Sequence, residues 1–307
     1  MGGGFPEHQG DGPDAGGQAR PGHLYPSAGR HGRPAGGVAA AGLGLWLAAP
    51  AVLGGRGALE RDMIAEDNFV DFTCPYCGDP VSFPRESAGF VQACPNCTES
   101  FIVPDDGGAV GRAIPLPITT ARLVIRRLAA QDWQDLLELM ADEEFFRYTD
   151  GVPLDEDGIL RWLASDAHVK LTTPDQPFFL GLELQDGGKL IGYATLNFTD
   201  PQWRQVNFSL GLNRKFQRQG YARETVAALL DFCFRGLKLH RVASWCDHRN
   251  AAGLRLWEKA GLRREGEFVK NRWVHGEWAT SVWFAALAED YFPSQGQALP
   301  AGGSEPG

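Results

Sequence analysis

Two C-x-x-C pairs, Cys74-Pro-Tyr-Cys77 and Cys94-Pro-Asn-Cys97, stand 16 residues apart and constrain the first part of this chain more than any other feature. A C-x-x-C turn puts two thiolates on one tight reversal, and two such turns facing each other form a four-sulfur tetrahedron that suits zinc. Gly78 behind the first pair suits a knuckle that needs positive φ. Val81, Phe83, Phe90 and Val91 between the pairs predict a hairpin, and Phe101-Ile102-Val103 a further strand that Pro104 stops. A module this small cannot hold itself by apolar burial alone, so a metal would do the work of a core. Four thiols could also form two structural disulfides, which need a secretory route, or a redox dithiol, which needs only one pair. The doubled spacing favours zinc, with Cys74, Cys77, Cys94 and Cys97 as ligands. Cys233 and Cys246 stand apart on a predicted helix and a predicted strand, where buried reduced thiols are expected.

The module resembles a zinc ribbon. It holds no run of Lys or Arg, and the formal net charge is −9 over 307 residues. Nucleic acid is therefore a weak guess for its partner, and a protein-docking or purely structural role fits the module equally well. Ahead of it, residues 1–62 hold 17 of the 39 glycines and 6 of the 20 prolines, a disorder-type composition. This arm is expected to be a disordered extension that need not be natural, with Met63 as the natural start. Its apolar run, Val38 to Gly55, is short, glycine-rich and broken by Pro50, a poor membrane span, and sits too far in for a secretory signal. The expected compartment is the cytoplasm, with no membrane partner. The expected divisions are the arm at 1–62, the ribbon-like module at 63–104, a Pro/Gly-rich linker at 105–118, a main domain at 119–292 and a disordered tail at 293–307.

The main domain alternates strand and helix patterns. A strand at Arg122–Arg127 precedes a helix from Asp132, whose Trp133, Leu136, Leu137 and Met140 recur at helical spacing. Asp155 caps a second helix. Strands at Phe178–Leu184 and Leu190–Asn197 flank the turn signal Asp186-Gly187-Gly188, and Val206–Leu212 follows. Gly220 opens a helix, then come a strand at Arg241–Cys246, a helix from Asn250 to Lys259 and two strands ending near Ala286. The order β-α-α-β-β-β-α-β-α-β-β predicts an α/β domain with a mixed sheet of α+β character.

The join between the Val206 strand and the next helix reads Gln217-Arg218-Gln219-Gly220-Tyr221-Ala222. Amides at such a turn point outward at the positive end of a helix dipole and make an anion site. Gly220 removes the side chain where a phosphate must approach the backbone, and Ala222 keeps the first turn narrow. From Pro201 to Arg223 there is no Asp or Glu, whereas Arg204, Arg214, Lys215, Arg218 and Arg223 are present. The motif alone fits an ordinary βα loop equally well; the basic charge in an acidic chain points to a polyanion.

This element order, the Q-x-x-G-x-A segment and Asn250 opening the next helix resemble the GNAT acyl-CoA N-acyltransferases, and within them the RimJ/RimL-type branch, over residues 119–288. Thr120-Ala121-Arg122-Leu123, Ile191-Gly192 and Asn250 to Gly261 (NAAGLRLWEKAG) add to the resemblance. It implies an N-acetyltransferase that moves acetyl from acetyl-CoA to a primary amine, a protein N-terminus or a small amine, in a ternary complex. It also implies that backbone at Leu210 and Leu212 holds the pantetheine arm, with Gly211 as a bulge, and that the amides of Gln217, Arg218, Gln219, Gly220, Tyr221 and Ala222 hold the diphosphate. Asn250 would reach the pantetheine or its thioester end, or serve only as a helix N-cap.

The family's acids and bases are missing. The Ser of N-x-x-S is Gly253, the Tyr seven residues after the Asn is Trp257, and a frequent strand-four carboxylate is Asn207. The remaining candidates are Glu183, Tyr193, and Asp247 or His248, though Glu183 also reads as a solvated strand face and His248 as a surface loop residue. An α-amine, pKa about 8, is partly neutral already, whereas a lysine amine near about 10.4 needs a real base. The expected acceptor is therefore an α-amine or a similarly weak base, with water relaying the proton. Acceptor specificity is expected in the first two helices (Phe145, Phe146, Tyr148, Asp150) and around His275-Gly276-Glu277-Trp278. The competing readings are a catalytically weak acyl-CoA sensor or scaffold, and a zinc-ribbon module that binds nucleic acid or protein.

Overall fold

The computed structural model describes residues 68–173, 176–198 and 204–292. The arm at 1–62 with its apolar run, Met63 and the 293–307 tail lie outside the described residues.

Each C-x-x-C turn is the tip of its own hairpin. Strand β1 (Phe69–Thr73) pairs with β2 (Pro80–Pro84), and β3 (Val91–Ala93) pairs with β4 (Ser100–Ile102), which also pairs with β5 (Arg112–Ala113). The hairpin expected between the cysteine pairs does not form. The knuckle itself reverses the chain, so β2 folds back on a strand that precedes Cys74. Gly78 (φ 77°) and Thr98 (φ 62°) hold the same left-handed place in the two knuckles. Their amides close the turns onto the carbonyls of Cys74 (3.1 Å) and Cys94 (2.9 Å).

Period-two alternation gives β4 two duties. Phe101 packs with Phe72 and Val81 in the small core, while Ile102 joins Val91 in the core of the main domain. Polar contacts reinforce this seam. Ser100 Oγ meets Thr172 Oγ1 at 2.9 Å, Glu99 pairs with Lys170, Asp105 pairs with Lys238, and the Arg204 guanidinium lies over the Phe90 ring at 4.6 Å. The stretch read as a linker at 105–118 holds β5 and the first residue of β6 (Ile118–Thr119), because Ile114, Leu116 and Ile118 pack against the main core.

The main domain runs β6, β7 (Leu123–Arg127), α1 (Trp133–Met140), α2 (Glu156–Asp166), β8 (Phe178–Leu184), β9 (Leu190–Asn197), β10 (Gln205–Leu212), α3 (Tyr221–Asp231), β11 (Arg241–Asp247), α4 (Ala251–Lys259), β12 (Arg263–Val274) and β13 (Glu277–Leu287). Its eight strands lie in the order β12-β13-β11-β10-β9-β8-β7-β6. The predicted mixed sheet is thus present. Every neighbouring pair in it is antiparallel except β10 and β11.

Helices cover both faces, as a sheet with two apolar faces demands. Phe178, Leu180 and Leu182 of β8 face α3 and α4, where Val226, Leu229 and Trp257 bury, while Phe179 turns to Leu136, Ile159 and Trp162 of α1 and α2. Asp155 caps α2 by accepting from the Gly158 amide at 2.8 Å. The lone parallel pair positions everything that follows. β10 and β11 pair only from Gln205–Arg241 to Asn207–Ala243, and beyond that point they part.

Candidate functional site

The parting of β10 from β11 leaves backbone groups without a strand partner. Two hydrogen bonds fix which ones. The Arg204 carbonyl accepts from the His240 amide at 2.7 Å on the β11 side, and the Asn213 amide donates to Ile191 of β9 at 2.8 Å. Backbone groups alternate sides along a strand, so Leu210 and Leu212 turn theirs away from β9 into the gap. The Leu212 carbonyl there accepts from Gln217 Nε2 at 3.0 Å.

Gly211 lies in unbroken register with Tyr193, so it is not the expected bulge. A Cβ at 211 would stand 2.6 Å from the Phe145 ring, so the glycine makes room for an aromatic side chain instead. The register break near here is in β9, between the pairs Leu182–Gly192 and Glu183–Leu190.

After β10 a short 3-10 turn at Arg214–Phe216 leads into α3, with Arg218 (φ 61°) and Gly220 (φ 87°) in the left-handed region. Among the described residues, the amides from Arg218 to Arg223 find no acceptor; the first bond at this end of α3 is from Glu224 to the Gly220 carbonyl, 3.1 Å. Arg122 braces the turn, donating to the Gln219 carbonyl (2.9 Å) and to Glu224 (2.7 Å), with its guanidinium 4.2 Å over the Tyr221 ring. The elbow is open, since a Cβ at 220 would meet only the Arg122 guanidinium, at 3.2 Å. Free amides, a helix N-terminus and a side-chain-free approach fit a diphosphate.

The basic residues divide. Arg218 and Arg223 make no ion pair among the described residues, Lys215 pairs with Glu138 at 2.7 Å, and Arg214 stands 3.6 Å from Asp142. Hydrogen bonds from Lys215, Lys189 and Asn213 hold the Glu138 carboxyl down at about 2. Arg204 lies at the other end of β10 against Phe90 and does not join the group.

The candidate acids and bases do not converge. Glu183 accepts from Arg126 at 2.6 Å, and Arg126 also forks onto Asp132 at 2.8 Å, an ion network at the β7–β8 pair, two strands from the gap. Tyr193 is buried against Phe145, Trp162 and Phe179. Continuing the β10–β11 register places Asp247 level with Gly211 across the gap. Burial works against its ionisation, but hydrogen bonds from Arg249 hold its carboxyl below the usual range. His248 is half-exposed there, Nδ1 3.4 Å from Asp247. Asn250 caps α4, accepting from the Gly253 amide at 2.9 Å. Trp257 packs edge-on against Phe208, centroids 5.2 Å apart.

Sequence reasoning did not pick out the cleft at the foot of the gap. It measures about 220 Å³ and is lined by Gln205, Val206, Asn207, Arg241, Ala243 and Trp283. Only Asn207 was singled out beforehand. Trp283 comes from a strand 76 residues downstream of Asn207, with no local motif to mark it.

In the small module the four sulfurs of Cys74, Cys77, Cys94 and Cys97 lie within 4.8 Å of one another. The closest pairs, Cys74–Cys97 and Cys77–Cys94, are 3.8 Å apart. That is too long for disulfides, and it matches the edge of about 3.8 Å that four Zn–S bonds of about 2.3 Å impose on a tetrahedron. The donor set and spacing therefore fit zinc. Cys233 and Cys246 are buried free thiols, and desolvation pushes the Cys246 thiol up to about 12.

The profile of the acetyltransferase (GNAT) domain matches residues 122–263. The chain is 30% identical over 177 residues to YnaD of Bacillus subtilis (strain 168), described as an uncharacterized N-acetyltransferase, covering 57% of this chain and 98% of that protein. The chain belongs to the GNAT family of N-acetyltransferases.

A second relative, the uncharacterized N-acetyltransferase p20 of Bacillus licheniformis, is 24% identical over 160 residues, 50% of this chain and 89% of its own. Among solved structures, a GNAT-family acetyltransferase from Bacillus anthracis superposes with a TM-score of 0.51 at 26% identity, covering 56% of this chain and 98% of its own. The GNAT chain is thus an acyltransferase, with acetyl-CoA as co-substrate and an amine as acceptor. No helix among the described residues is long and apolar enough to cross a membrane.

Replacing Gly220 by Val puts a branched side chain at φ 87° in the open elbow. Calorimetric titration is expected to show acetyl-CoA affinity lowered at least tenfold; unchanged affinity would remove the elbow from the binding site.

Proposed function

We propose that this protein is a RimJ/RimL-type N-acetyltransferase that acetylates α-amines, a protein N-terminus or a similarly weak small amine, and that a zinc ribbon accompanies its catalytic domain. The observation that carries the reading is the row of unpartnered amides at Arg218–Arg223 beside the Leu210 and Leu212 groups turned into the gap. In this reading the diphosphate rests on the amides from Arg218 to Ala222, since the Gln217 amide expected among them is taken by the Arg214 carbonyl at 3.3 Å, and the pantetheine arm runs along Leu210 and Leu212. Asn250 is bound up as a helix cap, so its contribution is to fix the start of α4 beside the thioester end.

Acetyl transfer then proceeds by direct attack. The neutral amine forms an N–C bond to the thioester carbonyl while the C–S bond breaks. The amine gives one proton to water, and the departing thiolate takes one up as the free thiol. The Leu210 N–H, turned into the gap at the end farther from the elbow, is the oxyanion donor. Engagement of Glu183 by Arg126 and burial of Tyr193 leave His248 as the side chain best placed to pass the proton through water. A weakly basic amine needs no more than that.

Zinc would be held by Cys74, Cys77, Cys94 and Cys97, where it supplies a structural cross-link. A thiolate site of this kind suits a reducing compartment, the cytoplasm. Domain limits of 63–104 for the ribbon and 119–292 for the transferase follow the chemistry, with the 105–118 segment sewing the two together.

An N-terminal peptide with a free α-amine is expected to turn over at least tenfold faster at pH 7 than the same peptide N-terminally blocked and offering only a lysine side chain. Preference for the lysine would contradict the α-amine reading. Metal analysis is expected to find one zinc per chain, lost on Cys94→Ser. Because the ribbon packs at the Arg204 and Lys238 end of β10 and β11, away from Gly220, that loss should lower the melting temperature and leave the KM for acetyl-CoA unchanged. A raised KM would place the ribbon in the active site.

A further inference from the structure

The turn that carries the elbow is anchored from outside itself. Arg214, Lys215 and Phe216 form the 3-10 turn between β10 and α3, and Asn213 caps it, its Oδ1 accepting from the Lys215 amide at 3.0 Å. The Asn213 amide donates to Ile191 at 2.8 Å, and its carbonyl accepts from the Phe216 amide at 2.9 Å. Beyond the turn, Gln219 Nε2 reaches back to the Lys215 carbonyl at 2.8 Å. The placement of the elbow therefore follows the placement of Asn213.

One carboxylate holds that residue. Glu138 lies on α1, 75 positions earlier in the chain. Its Oε1 accepts from Asn213 Nδ2 at 3.1 Å and from Lys215 Nζ at 2.7 Å, and its Oε2 from Lys189 Nζ at 2.9 Å. The two bonds to the turn differ in weight. Lys215 is 73% exposed, and an ion pair in water contributes little. Asn213 is buried, and a buried amide N–H deprived of its acceptor bears the full cost of leaving water. Lys189 fixes the carboxylate in turn. Asp135, one helical turn before Glu138, accepts from Lys189 Nζ (2.6 Å) and from the Leu190 amide (2.8 Å). One side chain of α1 thus joins the start of β9 to the end of β10.

Charge alone would make Glu138 an obstacle. A carboxylate near the elbow repels a diphosphate and occupies Lys215. Its bond to the buried Asn213 makes it a support instead. The two effects have opposite signs, so removing the side chain shows which one governs.

We propose that Glu138 is a positioning residue for acetyl-CoA: its carboxylate holds Asn213, Asn213 holds the turn, and the turn sets the elbow amides where a diphosphate can meet them. This rests on the acetyltransferase reading above. Glu138 acts through Asn213 and not by touching the cofactor.

The test measures acetyl-CoA affinity by calorimetry, together with the KM for acetyl-CoA and the kcat at saturation on an N-terminal peptide. Glu138→Ala should weaken affinity about tenfold and raise the KM to match, while kcat changes by less than about twofold. Glu138→Gln keeps an oxygen for Asn213 Nδ2 and should recover most of the loss. Asn213→Asp keeps the cap on the Lys215 amide but sets a second carboxylate against Glu138, and should match Glu138→Ala. Combining Glu138→Gln with Asn213→Asp restores the hydrogen bond with donor and acceptor exchanged, and should return affinity to within about threefold of the wild type. Unchanged or tighter acetyl-CoA binding in Glu138→Ala, or a double variant no better than Asn213→Asp, would overturn the proposal. Wild-type protein that bound no acetyl-CoA would overturn the acetyltransferase reading, and this proposal with it.

Discussion

One strand pair decides what this molecule can hold. β10 and β11 are the only parallel neighbours in the main sheet, and their ladder ends after three residue pairs. Past Asn207 the backbone of β10 has a strand on one side only, so polar groups at Leu210 and Leu212 face a gap instead of a ladder. Buried backbone groups left unpaired are expensive, so a fold that keeps such a gap is suited to a ligand with amide groups of its own. Helix α3 begins at the same end of the gap, and its first amides are equally unpaired. In the proposed reading, pantetheine and diphosphate meet these two sets of donors in turn.

The small module is attached at the opposite end. Phe90 under Arg204 and Asp105 beside Lys238 engage the segments that lead into β10 and β11, and Ile102 enters the main core. The four cysteines therefore sit away from the gap. A metal there would act by holding the hairpins that supply Val91 and Ile102 to the shared core. Its influence on catalysis would be indirect, through the stability of the sheet's lower end.

Much of the fold was legible because local pattern and tertiary role coincide. β8 and β9 stand as near-continuous apolar runs over Phe178–Leu184 and Leu190–Asn197 on either side of a turn signal, and the Asp155 and Asn250 caps stand where their residue types predict. Gly220 has the positive φ its turn requires. Where sequence reasoning failed, long-range partners decided. Gly211 resembles a bulge until Phe145 is placed against it. Glu183 resembles a candidate base until Arg126, 57 positions earlier, takes its carboxylate. Arg204 belongs to the basic stretch by position and to the seam with the small module by contact. Trp283 carries no local signal, since only the fold brings it to the cleft it lines with Gln205 and Asn207.

Hydrogen exchange of the backbone amides, with and without coenzyme A, addresses the gap and the elbow most directly. Amides at Leu210, Leu212 and from Arg218 to Ala222 are expected to exchange at least tenfold more slowly in the complex, while those of the cysteine-bearing hairpins stay as they were. Saturating coenzyme A that slowed none of these amides, or slowed only others, would contradict the claim that unpaired main-chain donors bind the cofactor.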